Sequence, residues 1–197
     1  MNIVEKALKE IELYTKDCLN CKTKPCQKGC PLGNAIPDFI KAAKEGDLQE
    51  AYSILTQTTV LGGICGRICP HEKQCQGNCV RGIKGKPISI GKIEMSIWDQ
   101  VPNGQLCPFG DRLAGKKIAI IGSGPAGLTC AAFLRRNGAT VCIYEKKKEL
   151  GGILSHGIPD FRLPREVLRE SIERVLQLGI EVKTEVELGK DYLLSEL

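Results

Sequence analysis

Eight of the eleven cysteines in this 197-residue chain lie in two short groups in its first half. The first group has the pattern C-x2-C-x4-C-x3-C over residues 18–30, and the second has C-x3-C-x5-C-x3-C over residues 65–79. Such spacings allow thiolates of one turn to reach the same metal centre, while a more distant cysteine completes its coordination. Glu5, Glu10 and Glu12 interrupt the apolar residues near the N-terminus, so no secretory signal is expected there. An odd number of cysteines in a reducing compartment does not suit a disulfide framework. The two groups therefore predict metal sites.

Iron–sulfur clusters and structural zinc are the two kinds of metal site that fit these spacings. A [4Fe–4S] cluster needs four ligands, and in two-cluster proteins the last cysteine of one group often binds the other cluster. Pro31 follows Cys30 directly and Pro70 follows Cys69, an arrangement that occurs in iron–sulfur sites. Zinc sites more often have two residues between paired cysteines, although eight cysteines could form two four-thiolate zinc sites. The spacings favour iron–sulfur and leave zinc as the alternative.

A glycine-rich loop follows the apolar run Ile118–Ile121, which is predicted to be a parallel strand buried in a sheet. The loop consists of Gly122, Ser123, Gly124, Pro125, Ala126 and Gly127. A helix from Leu128 to Arg136 and a second strand over 140–144 are predicted after it. In this context the first glycine permits a tight turn, the second lets a pyrophosphate approach the backbone, and the third lets helix and strand pack closely. The segment predicts a dinucleotide site with the phosphates at the helix N-terminus.

Glu145 ends the second predicted strand and is the residue expected to recognise the ribose of that dinucleotide. A carboxylate at this place accepts hydrogen bonds from the ribose hydroxyls and repels a 2′-phosphate, so NADP is disfavoured here. FAD and NAD both satisfy the geometry of the loop. A glycine-rich turn without a ligand is the remaining alternative.

The two halves together resemble the N-terminal part of one family of flavin and iron–sulfur oxidoreductases. The motifs that carry the resemblance are C-x2-C-x4-C-x3-C-P, G-R-I-C-P-x4-C-x-G-N-C, I-S-I-G-K-I-E, G-S-G-P-A-G and G-I-P-D-F-R-L-P. The family comprises the small (beta) subunit of glutamate synthase, the flavin subunit of NADH-dependent ferredoxin:NADP oxidoreductase, and the first domains of dihydropyrimidine dehydrogenase. A second glycine pair, Gly151-Gly152, recurs in flavoproteins with two dinucleotide sites, so the resemblance implies FAD at the loop.

The resemblance also implies how the ligand places of two [4Fe–4S] clusters are filled. One cluster would bind Cys18, Cys21, Cys26 and Cys79. The other would bind Cys30, Cys69, Cys75 and Glu94. Some relatives have glutamine at the last of these places, and a solvated surface glutamate is the alternative for Glu94. The remaining cysteines, Cys65, Cys107, Cys130 and Cys142, would then be ordinary thiols.

For the flavin, the resemblance assigns the loop residues 122–127, Glu145, Gly152 and Arg162. Arg162 matches a family arginine that lies close to the flavin, and a plain surface cation is its alternative. Neither of the two histidines, His71 and His156, lies in a catalytic constellation, and both are interpreted as structural. No residue is assigned as a catalytic acid or base.

The expected fold class is α + α/β: an all-helical iron–sulfur domain over 1–110, followed over 111–197 by the first part of a Rossmann-like FAD-binding domain. Helices are predicted over Ile3–Ile11 and Ser89–Trp98, and Asp47 with Glu50 forms a capping-box pattern at another helix start. Proline and glycine over 102–110 indicate a linker. A further helix after Pro164 and a third strand at Ile180–Val182 are predicted in the second domain.

Charge and hydropathy limit the partners. The net charge is +5, with 15 basic and 12 acidic side chains up to residue 114 and 13 and 11 after it. With no basic face concentrated in either half and only 5% aromatic residues, nucleic-acid binding has little support. No run of apolar residues is long enough for a membrane span, and a cytoplasmic protein is expected.

The resemblance implies a fragment of an NAD(P)H-dependent oxidoreductase, since family members continue with a second Rossmann domain for NAD(P)H. In the parent enzyme, electrons would pass from NAD(P)H through FAD and two [4Fe–4S] clusters to the glutamate synthase large subunit or another electron-accepting subunit. The ferredoxin:NADP oxidoreductase flavin subunit and a non-enzymatic zinc-stapled interaction module are the alternatives. The stretch alone is expected to be inactive, to bind FAD weakly or not at all, and to self-associate through an exposed sheet edge.

Overall fold

The computed structural model describes residues 3–102 and 104–196, with side chains described from residue 9 onward. The chain divides into two compact units, residues 1–104 and 105–197. In the described residues the first unit contains only helices and turns, and the second contains a parallel sheet with helices between its strands. The expected fold class, a helical domain followed by a Rossmann-like start, is confirmed. The boundary of the functional domains at residue 110 remains a prediction.

In the described part of the first unit there are six α-helices: α1 (Ile3–Thr15), α2 (Pro25–Lys28), α3 (Ile36–Lys44), α4 (Leu48–Leu55), α5 (Gly62–Ile68) and α6 (Ile90–Gln100). Two 3₁₀ turns, His71–Lys73 and Val80–Ile83, lie between α5 and α6. The predicted helix start at Asp47 is confirmed, because its carboxylate accepts a 2.9 Å hydrogen bond from the Glu50 N–H. The side chains of Ile3, Val4, Ala7 and Leu8, which begin the predicted apolar stripe of α1, lie outside the described residues.

Helices α5 and α6 cross at very short distance because α5 presents glycine to its neighbour. A Cβ atom at Gly63 would collide with the indole of Trp98, and one at Gly66 would lie 2.7 Å from the backbone nitrogen of Met95. Arg67 joins the two helices on their outer side, with one nitrogen 2.7 Å from a carboxylate oxygen of Asp99. This close crossing brings the cysteines at the end of α5 next to Glu94 in the middle of α6.

The second unit contains β1 (Lys117–Ile121), α7 (Pro125–Arg136), β2 (Thr140–Glu145), α8 (Ile153–His156), α9 (Arg165–Leu176), β3 (Glu181–Thr184) and a 3₁₀ turn at Leu194–Glu196. The strands are parallel in the order β1-β2-β3, with Ile118 opposite Val141 and Ile143 opposite Val182. Helix α7 begins at Pro125, three residues before the predicted start, because proline suits the first turn of a helix.

Strand β1 is less buried than its apolar sequence predicts. Ile118 and Ile120 are only half-buried and Ile121 is 51% exposed, whereas Val141 and Ile143 of β2 are buried. The physical reason is pairing, since within the described residues β1 has a neighbouring strand on one side only. No helix in the described part of the chain is long and apolar enough to cross a membrane.

Candidate metal centres and dinucleotide site

One cavity of the first unit is lined by four thiols from both cysteine groups: Cys18, Cys21, Cys26 and Cys79. Cys18 and Cys21 lie in the turns before α2, Cys26 lies in α2 itself, and Cys79 lies just before the 3₁₀ turn Val80–Ile83. Apolar side chains such as Ile40 and Ile90 form the opposite wall. The pKa of the Cys26 thiol is raised to about 11, through burial first and then through the neighbouring Cys18 and Cys79 thiols. These four side chains are the set that the family resemblance assigns to one cluster.

A second cavity is lined by the other set: Cys30, Cys69, Cys75 and Glu94. Cys69 directly follows α5, and Cys75 lies after the 3₁₀ turn His71–Lys73. Both thiols line the cavity together with the Glu94 carboxylate of α6. Glu94 is only 7% exposed, which excludes the solvated alternative for this residue. The structure therefore brings together both sets of predicted ligands, each across a long stretch of sequence.

The second cavity concentrates acidic groups away from water. Burial, and after it the Cys65 thiol, raises the pKa of the Glu94 carboxyl well above its ordinary value. The pKa of Cys75 rises to about 12, again through burial first and then through Glu94. The pKa of Cys69 is lowered, because Cys65 forms a hydrogen bond with it. Burial and mutual repulsion prevent Glu94, Cys69 and Cys75 from all being ionised in the free protein. A positively charged centre between them would offset that repulsion and stabilise their ionised forms.

Two further residues of this cavity, Cys65 and His71, have no ligand role in the sequence-based assignment. The Cys65 thiol lies between Cys69 and the hydroxyl of Thr59, which is 3.7 Å from its sulfur. The ring of His71 packs against the Cα of Gly91, and its buried Nε2 has no hydrogen-bond partner. The position of His71, two residues after Cys69, is the signal that could have placed it here.

The donor sets suit iron–sulfur clusters in both cavities. One has four thiols, the other has three assigned thiols, the further thiol of Cys65 and a carboxylate, and the walls are largely apolar, as expected for cluster sites. The unpartnered nitrogen of His71 leaves the second cavity able to make one more polar contact. Across the residues described, no three histidine, cysteine, aspartate or glutamate side chains converge on one point that could hold a single metal ion. Cys107, Cys130 and Cys142 line neither cavity.

A third cavity, of about 580 Å³, lies at the carboxyl ends of β1 and β2 in the second unit. Gly122, Gly124, Glu145 and Gly152 line it, and its volume is in the range of small-molecule sites. Ser123 is fully buried beneath the loop, and Pro125, Ala126 and Gly127 form the first turn of α7. The free N–H groups of that turn provide an anion site where the sequence predicts the phosphates.

Glu145 connects the glycine loop to the end of β2. One carboxylate oxygen accepts hydrogen bonds from the Ser123 hydroxyl at 2.6 Å and the Ser123 N–H at 2.8 Å, and the other accepts one from the Lys147 N–H at 2.9 Å. Burial acts to raise the pKa of Glu145, but these hydrogen bonds outweigh it and the pKa lies below the ordinary value. A carboxylate has about four acceptor sites, so a ribose hydroxyl can still donate to it.

The glycine pair at 151–152 packs directly on the glycine loop. Both residues have positive φ, 109° and 55°, which favours glycine. The Gly151 N–H donates to the Ser123 carbonyl at 3.1 Å, and a Cβ at Gly152 would lie 3.0 Å from the Cα of Gly124. Arg162, by contrast, is exposed in the turn before α9 and is not among the residues that line the cavity.

Replacing Ser123 by alanine is expected to lower the free energy of unfolding of the second unit by about 2 kcal/mol near neutral pH, because a hydrogen bond to a buried carboxylate is lost. The pKa of Glu145 is depressed in the folded protein, so this stabilisation is present above the unfolded pKa of about 4.3 and is lost as the pH falls through the folded value. The difference between the two proteins should shrink at acidic pH. Urea unfolding followed by circular dichroism measures it, with Trp98 fluorescence reporting the first unit separately.

Ser171→Ala is the matched control for this prediction. Its buried hydroxyl donates to the Val167 carbonyl at 2.7 Å, a neutral hydrogen bond within α9. Its effect should therefore not vary with pH in this range. A Ser123→Ala effect that stays constant from neutral to acidic pH would contradict the assigned role of Glu145.

Comparison with known proteins agrees with this division of the chain. Residues 4–106 match the family model described as dihydropyrimidine dehydrogenase domain II, 4Fe–4S cluster, and residues 120–167 match an NAD(P)-binding Rossmann-like domain. The chain is 40% identical over 182 residues to the glutamate synthase [NADPH] small chain of Escherichia coli K12. It is 38% identical over 182 residues to the NAD-dependent dihydropyrimidine dehydrogenase subunit PreT of Salmonella typhimurium, and 38% identical over 187 residues to the glutamate synthase small chain of Azospirillum brasilense.

Each of these alignments covers 91% of the chain but only 39%, 44% and 38% of the respective relative. The chain thus spans about two fifths of the length of the curated relatives it matches.

Proposed function

We propose, from the premise that the chain belongs to the dihydropyrimidine dehydrogenase domain II family of 4Fe–4S cluster domains, that it is the electron-transfer part of an NAD(P)H-dependent oxidoreductase. The observation that carries the proposal is that each of two cavities is lined by the four side chains of one predicted ligand set. Both sets are drawn from both cysteine groups, and the second also takes Glu94 from α6.

The first cluster would be held by Cys18, Cys21, Cys26 and Cys79. The second would be held by Cys30, Cys69, Cys75 and Glu94. When bound, the clusters would carry single electrons, and a flavin would exchange electron pairs with a nicotinamide and single electrons with the clusters. The apolar walls of the two cavities would keep water away from the sulfur atoms, which is one of the means by which proteins set cluster potentials.

The dinucleotide at the glycine loop is proposed to be FAD. Its pyrophosphate would lie against Gly124 at the start of α7, and its ribose would donate to Glu145. This assignment is supported by the glycine pair at 151–152, which contacts the loop and completes the wall of the cavity. The nicotinamide nucleotide would bind at a different site, and Arg162, which does not line this cavity, is proposed to lie close to the flavin when it is bound.

Among the relatives, the small subunit of glutamate synthase is the proposed counterpart. The partner would then be a large subunit that receives the electrons for glutamate biosynthesis. A counterpart in ferredoxin:NADP oxidoreductase or in dihydropyrimidine dehydrogenase would use the same cofactor sites with another electron acceptor. The chain is 40% identical to a glutamate synthase small chain and 38% identical to a PreT subunit, and this difference is too small to separate the two counterparts. The function shared by all of these is electron transfer between a nicotinamide nucleotide and a second protein.

Chemical analysis of the anaerobically reconstituted chain tests the proposal. We expect about eight iron atoms and about eight acid-labile sulfides per chain, a brown colour, and bleaching by dithionite. A colourless protein that contains two zinc ions and no labile sulfide would overturn the proposal and favour the zinc-stapled interaction module.

A further inference from the structure

Basic side chains are concentrated around the first cysteine cavity. Residues 16–30 and 79–86, called the basic rim below, contain one acidic residue, Asp17, and seven basic residues: Lys16, Lys22, Lys24, Lys28, Arg81, Lys84 and Lys86. Their net charge is +6, whereas the whole chain carries +5, so all the remaining residues together carry −1. The total for residues 1–114, +3, does not reveal this concentration, because the residues of that half outside the rim carry −3.

The fold joins the two segments of the basic rim into one surface. Cys18, Cys79 and Arg81 line the same cavity, and a guanidinium nitrogen of Arg81 lies 3.9 Å from a carboxylate oxygen of Asp17. Cys79 belongs to the first cavity, so the 3₁₀ turn that follows it lies beside the turns around α2. The two segments of the rim therefore meet beside the thiols that we assign to the first cluster.

Most of this charge faces water. Lys24 is engaged with Asp38 at 2.7 Å. Lys22, Lys28, Lys84 and Lys86 have exposed side chains. Charges at such positions contribute little to stability, but they create a field that attracts an oppositely charged partner from a distance.

Apolar side chains are exposed among the lysines. Leu19 is 59% exposed, Val80 is 37% exposed and Ile83 is 77% exposed, and the first two also line the first cavity. A surface with exposed apolar side chains within a field of one sign is suited to a transient protein complex, in which charge directs the encounter and apolar contact holds it. The second cavity meets the rim at Cys30, but Cys75 and Glu94 in it are buried and the nearby Glu72 and Lys73 cancel in charge.

We propose that the basic rim is the docking surface for an acidic electron-accepting protein, and that electrons leave the chain through the cluster held by Cys18, Cys21, Cys26 and Cys79. The inference rests on the proposed function. Protein is favoured over nucleic acid as the partner because the rim contains no aromatic residue on which a base could stack, and its exposed uncharged side chains are aliphatic.

Binding of two small redox proteins of opposite charge to the reconstituted chain tests the surface. Rubredoxin serves as the acidic probe and cytochrome c as the basic probe, and dissociation constants are measured at increasing salt concentration. Rubredoxin should bind more tightly than cytochrome c, and its affinity should fall as salt is added. In the variant Lys84→Glu/Lys86→Glu the dissociation constant for rubredoxin should rise at least about tenfold, while cytochrome c should bind more tightly than it does to the unmodified chain.

The variant Lys73→Glu/Lys148→Glu makes the same change in net charge away from the rim and should alter either constant by less than about twofold. Equal losses in the two double variants would show a non-specific charge effect and overturn the proposal. So would a single-stranded DNA oligonucleotide that binds more tightly than rubredoxin at every salt concentration.

The two proposals fail in distinguishable ways. A chain that binds rubredoxin through the rim but contains no labile sulfide keeps the docking surface and loses the electron-transfer function. A chain that contains both clusters and reduces rubredoxin equally fast with and without Lys84→Glu/Lys86→Glu keeps the function and loses the docking surface.

Discussion

Replacing Cys79 by alanine is expected to remove the first cluster and leave the second, although Cys79 belongs to the second cysteine group of the sequence. In the structure its thiol lines the cavity with Cys18, Cys21 and Cys26, and no other thiol of the second group does. Alanine cannot bind iron, so the iron content should fall from about eight to about four atoms per chain. Iron and sulfide analysis with electron paramagnetic resonance of the reduced protein would show one spin system instead of two.

Cys30→Ala is the reciprocal variant. Cys30 lies in the first group of the sequence but lines the second cavity with Cys69 and Cys75. The variant Cys30→Ala should remove the spin system of the second cluster and about four iron atoms per chain. The two variants together separate crosswise ligation from the simpler arrangement in which each group binds its own cluster.

Cys65→Ala is the matched control, because this thiol lies in the second cavity without an assigned ligand place. It should retain about eight iron atoms. Loss of the second cluster in this variant, with retention in Glu94→Ala, would show that Cys65 and not Glu94 is the fourth ligand. Loss of the same spin system in Cys79→Ala and Cys75→Ala would contradict crosswise ligation altogether.

The two ligand sets could be written down from the sequence only because the chain resembles a family. Spacing alone predicts that thiols a few residues apart share a centre, but it does not say which distant residue closes the set. In the structure Cys79 and Glu94 complete the two sets because tertiary packing brings them to the cavities. Cys79 lies before a turn that folds back onto α2, and Glu94 is drawn in by the glycine-mediated crossing of α5 and α6.

The burial of Glu94 illustrates what local sequence cannot supply. A glutamate in an amphipathic helix is normally solvated, and the helix over 90–100 has the ordinary periodicity of one packed face. Its surroundings depend on Gly66, a residue almost thirty positions earlier, whose missing side chain lets the two helices approach. The contact of His71 with Gly91 has the same origin, which is why a histidine interpreted as structural lies in the cavity of the second cluster.

In the second unit the sequence was more informative, because strand, loop, helix and strand follow one another without interruption. The glycine loop, the end of α7 at Arg136 and the position of Glu145 are local features, and all lie where they were predicted. The burial of β1 was predicted wrongly, since an apolar run reports the capacity of a strand to be buried and not whether it has a neighbour on both sides.

Alanine at Gly127 is expected to destabilise the fold, whereas alanine at Gly124 is expected to weaken nucleotide binding and leave the fold stable. Both residues belong to the same loop motif. A Cβ at Gly127 would overlap the carbonyl oxygen of Gly122 and lie 3.4 Å from Cγ2 of Ile120. Backbone atoms at this junction cannot move without separating α7 from β1. We therefore expect Gly127→Ala to lower the free energy of unfolding of the second unit by about 3 kcal/mol.

At Gly124 the backbone has φ −65° and ψ 177°, which alanine adopts freely, and an added Cβ would meet no atom within 4 Å. The free energy of unfolding should change by less than about 0.5 kcal/mol. The new methyl group would nevertheless occupy the space through which a pyrophosphate approaches the backbone, so the affinity for ADP, which FAD and NAD share, should fall at least about tenfold.

Hydrogen exchange of the β1, α7 and β2 amides measures the first effect, and titration calorimetry with ADP measures the second. Trp98, the only tryptophan and a residue of the first unit, reports by fluorescence that the helical domain is unchanged in both variants. If Gly124→Ala destabilised the fold as much as Gly127→Ala, the loop would be a structural turn. If Gly124→Ala bound ADP as well as the unmodified chain, the cavity would not be the site of the phosphates. Only a stable Gly124→Ala protein with weakened ADP binding supports a loop whose second glycine is reserved for a ligand.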